Sequence, residues 1–81
     1  MHKVIIPKMG MSTVEVDLIE WHVAEGDHVS VGDPIADIES EKSNFTIESD
    51  VEGTVLEILV ELGATVNVGT VICTIQTDRQ E

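Results

Sequence analysis

The sequence contains few aromatic residues, few basic residues and one cysteine. Among 81 residues there is one Phe, one Trp and no Tyr, and four Lys or Arg stand against 16 Asp or Glu. The single cysteine, Cys73, excludes an internal disulfide bond and a zinc site made of cysteines. No apolar run is long enough to span a bilayer, and the N-terminus lacks the basic, apolar-cored pattern of a signal peptide. We therefore expect a soluble protein of the cytoplasm or of an organelle matrix.

The excess of acidic residues gives the chain a formal net charge of −12 at pH 7. Such a surface repels the phosphates of nucleic acids and of anionic lipids, so neither class of partner is expected. It favours a protein partner with a basic face. For most individual carboxylates, a place on the solvated surface is the simplest interpretation.

Aliphatic β-branched residues dominate the rest of the composition. Val and Ile together supply 21 residues, and such residues favour strands over helices. Short runs with alternating apolar and polar positions are separated by glycine-containing turn signals. Within residues 14–23 the apolar positions change parity after Leu18, which predicts a β-bulge or a strand shared by two sheets. About eight short strands without a helix predict an all-β fold, a small sandwich or flattened barrel.

The second half of the sequence repeats the first at a distance of 37 residues. Glycines align with glycines and aliphatic residues with aliphatic residues at six positions: Gly26 with Gly63, Gly32 with Gly69, Val29 with Val66, Val31 with Val68, Ile35 with Ile72 and Ile38 with Ile75. The matched glycines indicate a repeated backbone conformation. Two copies are too few for a solenoid, so the repeat predicts one closed domain of two halves related by a pseudo-two-fold axis.

A lone lysine stands in the polar segment that follows the first copy. The segments Ile35–Glu39 and Phe45–Glu48 each predict a short strand, and the five polar residues 40–44 between them predict a tight turn. Lys42 is then expected at or beside the tip of a hairpin. Taken alone it would be an ordinary surface lysine, but a rigid turn would also offer its amine to a modifying enzyme.

The second copy lacks this hairpin, because Lys42 aligns with Arg79 near the end of the chain. We expect one domain over residues 1–77, with the lysine turn and the two ends of the domain on opposite sides. The polar tail over residues 78–81 is expected to begin a linker.

Other candidate residues have structural interpretations. His2, His22 and His28 could bind a metal ion, yet no cysteine or carboxylate spacing supports a site. Cys73 aligns with Ala36 and is predicted to be a small packing residue, and Trp21 is predicted to have a structural role in its strand. No arrangement of nucleophile and base, or of paired carboxylates, is supported by a motif, so we expect a domain that is not itself an enzyme.

An ordered series of motifs resembles a known family. The chain is similar to the lipoyl domains of 2-oxo acid dehydrogenase complexes, within the biotinyl/lipoyl attachment family. The motifs that carry the resemblance are Pro7-Lys8-Met9-Gly10-Met11, Trp21-His22-Val23-Ala24-Glu25-Gly26-Asp27-His28-Val29, Val31-Gly32-Asp33-Pro34-Ile35, Ile38-Glu39-Ser40-Glu41-Lys42-Ser43, Gly53-Thr54-Val55 and Gly63-Ala64-Thr65-Val66-Asn67-Val68-Gly69. The resemblance implies two four-stranded antiparallel sheets related by a pseudo-two-fold axis (a barrel-sandwich hybrid), with the modified lysine at a hairpin tip.

The resemblance also implies a function. Lys42 would carry covalently bound lipoic acid, and Glu39, Ser40, Glu41 and Ser43 would contribute to recognition by other enzymes. The domain would be a non-catalytic swinging arm that carries acyl groups and reducing equivalents. Its partners would be a lipoate ligase or lipoyl transferase, the E1 decarboxylase, the E2 dihydrolipoyl acyltransferase core that shares its chain, and the E3 dihydrolipoyl dehydrogenase. The isolated domain is expected to be a monomer of the bacterial cytoplasm or the mitochondrial matrix.

Two alternatives stay open. A biotin carboxyl carrier has the same fold but places methionine on both sides of its lysine, whereas this sequence has Glu41 and Ser43. A domain of this fold can also serve as an unmodified interaction module, against which the presence of Lys42 argues. The sequence departs from the usual lipoyl pattern at Thr46, Asp50 and Val16. We expect Thr46 and Asp50 to affect recognition by a ligase or partner enzyme. We expect Val16 to affect only the local conformation of a loop.

Overall fold

The computed structural model of the protein describes residues 1–7, 15–41 and 43–77. It contains eight strands, numbered in chain order: β1 (His2–Ile5), β2 (Glu15–Trp21), β3 (His28–Val29), β4 (Pro34–Glu39), β5 (Asn44–Glu48), β6 (Gly53–Ile58), β7 (Thr65–Asn67) and β8 (Val71–Thr77). They form two four-stranded antiparallel sheets, in the orders β1-β8-β6-β3 and β5-β4-β2-β7. The described residues include no helix, and hence none that could cross a membrane. The predicted all-β fold is confirmed.

The core lies between the two sheets and is almost entirely aliphatic. In β2 buried residues alternate with more exposed ones up to the bulge, as the period of two in the sequence predicted, whereas four consecutive residues of β8, Ile72 to Ile75, are buried. The largest fully buried side chains are Ile6, Leu18, Ile35, Ile38, Ile72, Ile75, Val16, Val29, Val55 and Cys73. The abundance of Val and Ile therefore reflects inward positions on pleated strands.

The 37-residue repeat is reproduced in the strand pairing. Ile38 pairs with Leu18 across β4 and β2, and Ile75 pairs with Val55 across β8 and β6. The register shifts between Leu18 and Glu20 in the first half, and it shifts at the equivalent place, between Val55 and Glu57, in the second half. The β-bulge predicted from the parity change after Leu18 is thus confirmed. Ile19, the residue at the bulge, is 42% exposed.

Strand β1 occupies, beside β8, the place that β5 occupies beside β4. Val4 pairs with Cys73 just as Ile47 pairs with Ala36, and Cys73 lies 37 residues after Ala36. The beginning of the chain therefore supplies the strand that the second copy lacks. With β1 in the position equivalent to β5, the pseudo-two-fold arrangement of the two sheets is complete.

The ends of the domain lie away from the β4–β5 turn. His2 Nε2 lies 2.8 Å from Asp50 Oδ1, just beyond the C-terminal end of β5. The turn precedes the opposite end of β5, and five residues of strand extend about 17 Å. His2 pairs with Ile75, so both ends of the described chain share that side, as predicted.

Two local expectations require comment. Val16 is not a loop residue: it lies in β2 and is 2% exposed, because its strand continues past the end of β4 to pair with β7. Val31, aligned with an aliphatic residue in the repeat, is 69% exposed, since it opens a turn after β3 ends at Val29. The predicted linker over residues 78–81 lies outside the described residues and stays a prediction.

Candidate functional site

The candidate site is the turn that joins β4 to β5. Glu39 pairs with Asn44, so the turn has four residues, Ser40 to Ser43, and not the five predicted from polarity. Asn44 belongs to β5 because it completes the ladder opposite Glu39. Lys42 is the third residue of this turn in sequence, and its own placement lies outside the described residues.

The side chain of Ser40 closes the turn. Its hydroxyl donates to the carbonyl oxygen of Ser43 at 2.6 Å and accepts from the amide of Ser43 at 3.2 Å. The Ser40 amide also donates to the Ser43 carbonyl oxygen at 2.8 Å. The two residues that flank Glu41 and Lys42 are thus held together by three hydrogen bonds.

The four residues predicted to contribute to recognition are not equivalent in the structure. Glu39, Glu41 and Ser43 are exposed, whereas Ser40 is only 7% exposed. Ser40 also contributes to the shape of the turn, because its hydroxyl bonds to the backbone of Ser43. For all four residues the recognition role stays a prediction.

The surroundings of the turn are acidic. A shallow groove of about 370 Å³ runs beside it, lined by Glu15, Val16, Asp17, Glu39, Ser40, Glu41 and Thr65. Four of these seven side chains are carboxylates. The surface beside the turn therefore carries negative charge.

A hydrogen-bonded group on the outer face braces the hairpin. His22 Nε2 lies 2.9 Å from Asp37 Oδ1, and the hydroxyl of Thr46 donates to the same oxygen at 2.8 Å. These hydrogen bonds, first from His22 and then from Thr46, hold the pKa of the Asp37 carboxyl below its ordinary value. The sequence did not reveal this group, because the predicted five-residue turn would set Asp37 opposite Ile47, whereas the observed four-residue turn pairs it with Thr46.

The remaining candidates are structural. Trp21 Nε1 donates to the carbonyl oxygen of Val60 at 3.0 Å, which confirms its structural role. Cys73 is fully buried in the core as predicted, and burial raises the pKa of its thiol to about 11. In the part of the chain that the structure describes, no group of three or more His, Cys, Asp or Glu side chains could hold a metal ion.

Comparison with known proteins gives consistent matches over the chain. The sequence model of the Biotin_lipoyl family, described as "Biotin-requiring enzyme", matches residues 2–75. The chain is 40% identical over 73 residues to the lipoamide acyltransferase component of the branched-chain alpha-keto acid dehydrogenase complex of Bacillus subtilis. It is 41% identical over 71 residues to the dihydrolipoyllysine-residue acetyltransferase component of the acetoin cleaving system of the same organism.

These matches cover most of the chain but a small part of each relative. They include 90% and 88% of the chain, and 17% and 18% of the respective relatives. Among solved structures, the lipoyl domain of the 2-oxoglutarate dehydrogenase complex from Azotobacter vinelandii matches with a TM-score of 0.72. The identity there is 24%, and the match covers 90% of this chain and 95% of that one, which establishes a common fold.

Proposed function

Because the chain belongs to the biotinyl/lipoyl attachment family, we propose that it is a lipoyl carrier domain whose Lys42 is joined to lipoic acid. The observation that carries the proposal is the closed four-residue turn, which holds the backbone on both sides of Lys42 at the end of a two-stranded hairpin. The two B. subtilis relatives are named as acyltransferase components. Together these features support a lysine that is presented for modification.

The residues around the turn fit a long group attached through an amide. Glu41 and Ser43, on either side of Lys42, are both exposed, so an arm that begins there extends directly into solvent. In the attachment step, a ligase would transfer the lipoyl group from an ATP-derived adenylate to the amine of Lys42. One amide bond forms, AMP leaves and the lysine ammonium loses two protons.

The domain's own contribution is to position the arm. Lipoic acid bound to Lys42 would supply a disulfide that can accept an acyl group together with two electrons. The two sheets provide a rigid base, and a hairpin tip far from the ends of the domain lets the arm enter an active site while the domain remains tethered. Tethering raises the effective concentration of the arm at its partners, which we propose are the E1, E2 core and E3 components of a dehydrogenase complex.

Biotin is the second candidate because the matching family includes biotin-dependent proteins. The residues next to Lys42 argue against it, since Glu41 and Ser43 stand where biotin carriers have methionine. An unmodified interaction domain is the third hypothesis, and one mass-spectrometry experiment distinguishes all three.

The test is intact-mass spectrometry of the chain after incubation with a lipoate ligase, lipoate and ATP, and in parallel with a biotin ligase, biotin and ATP. Lys42→Arg keeps the positive charge but cannot form the amide. Lys3→Arg is the matched control, because Lys3 is an exposed lysine of β1. We expect one lipoyl group on the wild type and on Lys3→Arg, and none on Lys42→Arg.

A biotinyl group on Lys42 would move the function to carboxyl transfer on the same fold. A folded chain that neither ligase modifies would reject the carrier proposal in favour of an interaction domain. The carrier role itself is tested by incubating the lipoylated chain with an E1 decarboxylase and its 2-oxo acid. An added acyl mass that depends on Lys42 supports the proposal, and its absence with every E1 class tested contradicts it.

A further inference from the structure

Buried polar side chains are rare among the described residues, and two of them are serines at opposite ends of the β4–β5 hairpin. Among the described residues the buried polar side chains are Ser40, Ser49 and Thr74. Ser40 is the first residue of the β4–β5 turn. Ser49 directly follows the C-terminal end of β5. A hydroxyl is seldom buried without a bonding role, because its desolvation must be compensated by hydrogen bonds.

Each serine hydroxyl holds a segment of backbone. Ser40 Oγ donates to the Ser43 carbonyl oxygen at 2.6 Å and accepts from the Ser43 amide at 3.2 Å. Ser49 Oγ donates to the Val51 carbonyl oxygen at 2.6 Å and accepts from the Val51 amide at 3.3 Å. The two clamps have the same donors and acceptors, but the first spans three residues and encloses Lys42, whereas the second spans two residues.

The hydroxyl of Ser40 joins the first and last residues of the turn through its two hydrogen bonds to Ser43. Glu41 and Ser43 are exposed. In a four-residue turn, loss of these bonds allows the two central residues to adopt other conformations. A ligase that reads one conformation would then find only a fraction of the chains competent, and its apparent affinity would fall by that fraction.

We propose that Ser40 is the positioning residue that presents Lys42 to the modifying ligase, and that its hydroxyl holds the turn in the conformation that is recognised. The inference rests on the proposed lipoyl function. Ser40 contacts neither lipoate nor the reacting amine; it acts through the backbone of the turn.

The experiment measures the steady-state kinetics of lipoylation of the 81-residue chain, by mass spectrometry, with a lipoate ligase, lipoate and ATP. Ser40→Ala removes the clamp, and Ser40→Thr retains a hydroxyl. Ser49→Ala is the matched control, because it removes a hydroxyl that also donates to one carbonyl oxygen and accepts from one amide, at the opposite end of the β4–β5 hairpin. Circular dichroism and urea unfolding establish that each variant is folded.

We expect Ser40→Ala to raise the KM for the chain about tenfold with kcat changed less than about twofold, because fewer chains present the turn correctly. Ser40→Thr should restore most of the loss. Ser49→Ala should lower stability about as much as Ser40→Ala but leave KM within about twofold of the wild type, since its clamp is remote from Lys42. A wild-type KM for Ser40→Ala, or an equal rise for Ser49→Ala, would overturn the inference.

A second readout does not depend on the ligase. Trypsin cleaves after lysine only where the backbone can open, so the rate of cleavage after Lys42 in the unmodified chain reports the opening of the turn. We expect Ser40→Ala to raise this rate about tenfold and Ser49→Ala to leave it near that of the wild type. Equal rates of cleavage after Lys42 in Ser40→Ala and in the wild type would contradict the proposed role of the Ser40 hydroxyl. A wild-type chain that no ligase modifies would instead reject the proposed function, whatever trypsin shows.

Discussion

The amide of Gly26 donates to the carbonyl oxygen of Val55 at 2.8 Å, and this bond joins the loop after β2 to strand β6. Thirty-seven residues later the same bond recurs: the Gly63 amide donates to Leu18 at 2.7 Å. Both glycines have a positive φ, 95° and 85°. The two halves thus hold each other through reciprocal backbone bonds, which explains why glycine occurs at both of these positions of the repeat.

Glycine substitutions should separate backbone strain from steric overlap. Gly26→Ala should cost about 1–2 kcal/mol, because its positive φ is strained for alanine although no atom lies within 4 Å of the added Cβ. Gly53→Ala should cost about 3 kcal/mol, since the Cβ would overlap the backbone of Gln76 and lie 2.9 Å from Ile75 Cγ2. Urea unfolding followed by the fluorescence of Trp21 measures both. Equal losses would contradict the overlap.

Acid should weaken the hydrogen bonds that His22 and Thr46 make to the Asp37 carboxylate on the hairpin. The pKa of Asp37 is lowered in the folded protein from its ordinary value of 3.8. The stability that its carboxylate contributes is therefore present above pH 3.8 and is lost as the pH falls through the lower folded value. We expect the urea midpoint to fall between about pH 5 and pH 2, and to fall less steeply in Asp37→Asn.

A variant of the second donor provides the control for this pH dependence. Thr46→Val removes one of the two hydrogen bonds to Asp37 and leaves His22 in place. Its acid-side slope should lie between those of the wild type and Asp37→Asn. If Asp37→Asn shows the wild-type slope, other carboxylates carry the acid sensitivity.

The thiol of Cys73 should be unreactive in the native protein. Its side chain is fully buried, and burial raises the pKa of the thiol to about 11, so little thiolate exists at pH 8. We expect an aromatic disulfide reagent to label the native chain at least about 100-fold more slowly than the urea-unfolded chain. Comparable rates would show that the core around β8 opens readily.

Core truncations should have matched costs in the two halves. Ile38 and Ile75 are equivalent in the repeat and are both 0% exposed. Replacing either with alanine should cost about 3 kcal/mol, through lost burial and the cavity that remains. Leu62→Ala is the control, because Leu62 is 64% exposed and should change stability by less than about 0.5 kcal/mol. A difference of several kcal/mol between the two isoleucines would contradict equivalent packing.

Features that depend on local periodicity could be predicted from the sequence. The bulge after Leu18 followed from a change of parity, and the turns at Gly26 and Gly63 followed from their repetition. The hairpin around Lys42 followed from two alternating strands. In each case neighbours in the sequence determine the conformation, so the signal is visible without the fold.

Features that depend on strand ends and distant contacts could not be predicted. In the sequence Ser40 is one polar turn residue among several, and its burial and its hydrogen bonds to Ser43 are visible only in the folded hairpin. Val16 and Gly53 are equivalent in the repeat, yet Gly53 pairs with both β3 and β8 whereas Val16 pairs with β7 alone. The extra neighbour leaves no room for a side chain at Gly53, and no local pattern reveals it.

The place that β1 takes beside β8 makes the domain a candidate for circular permutation. His2 pairs with Ile75 as Phe45 pairs with Ile38, so a peptide bond from Gln80 to Met1 would give a four-residue connection of the same length as the lysine turn. New ends could be opened in the surface loop between β5 and β6. Such a chain would have a hairpin tip at each end, and Arg79→Lys would place a lysine at the second, giving a carrier with two attachment points on one core.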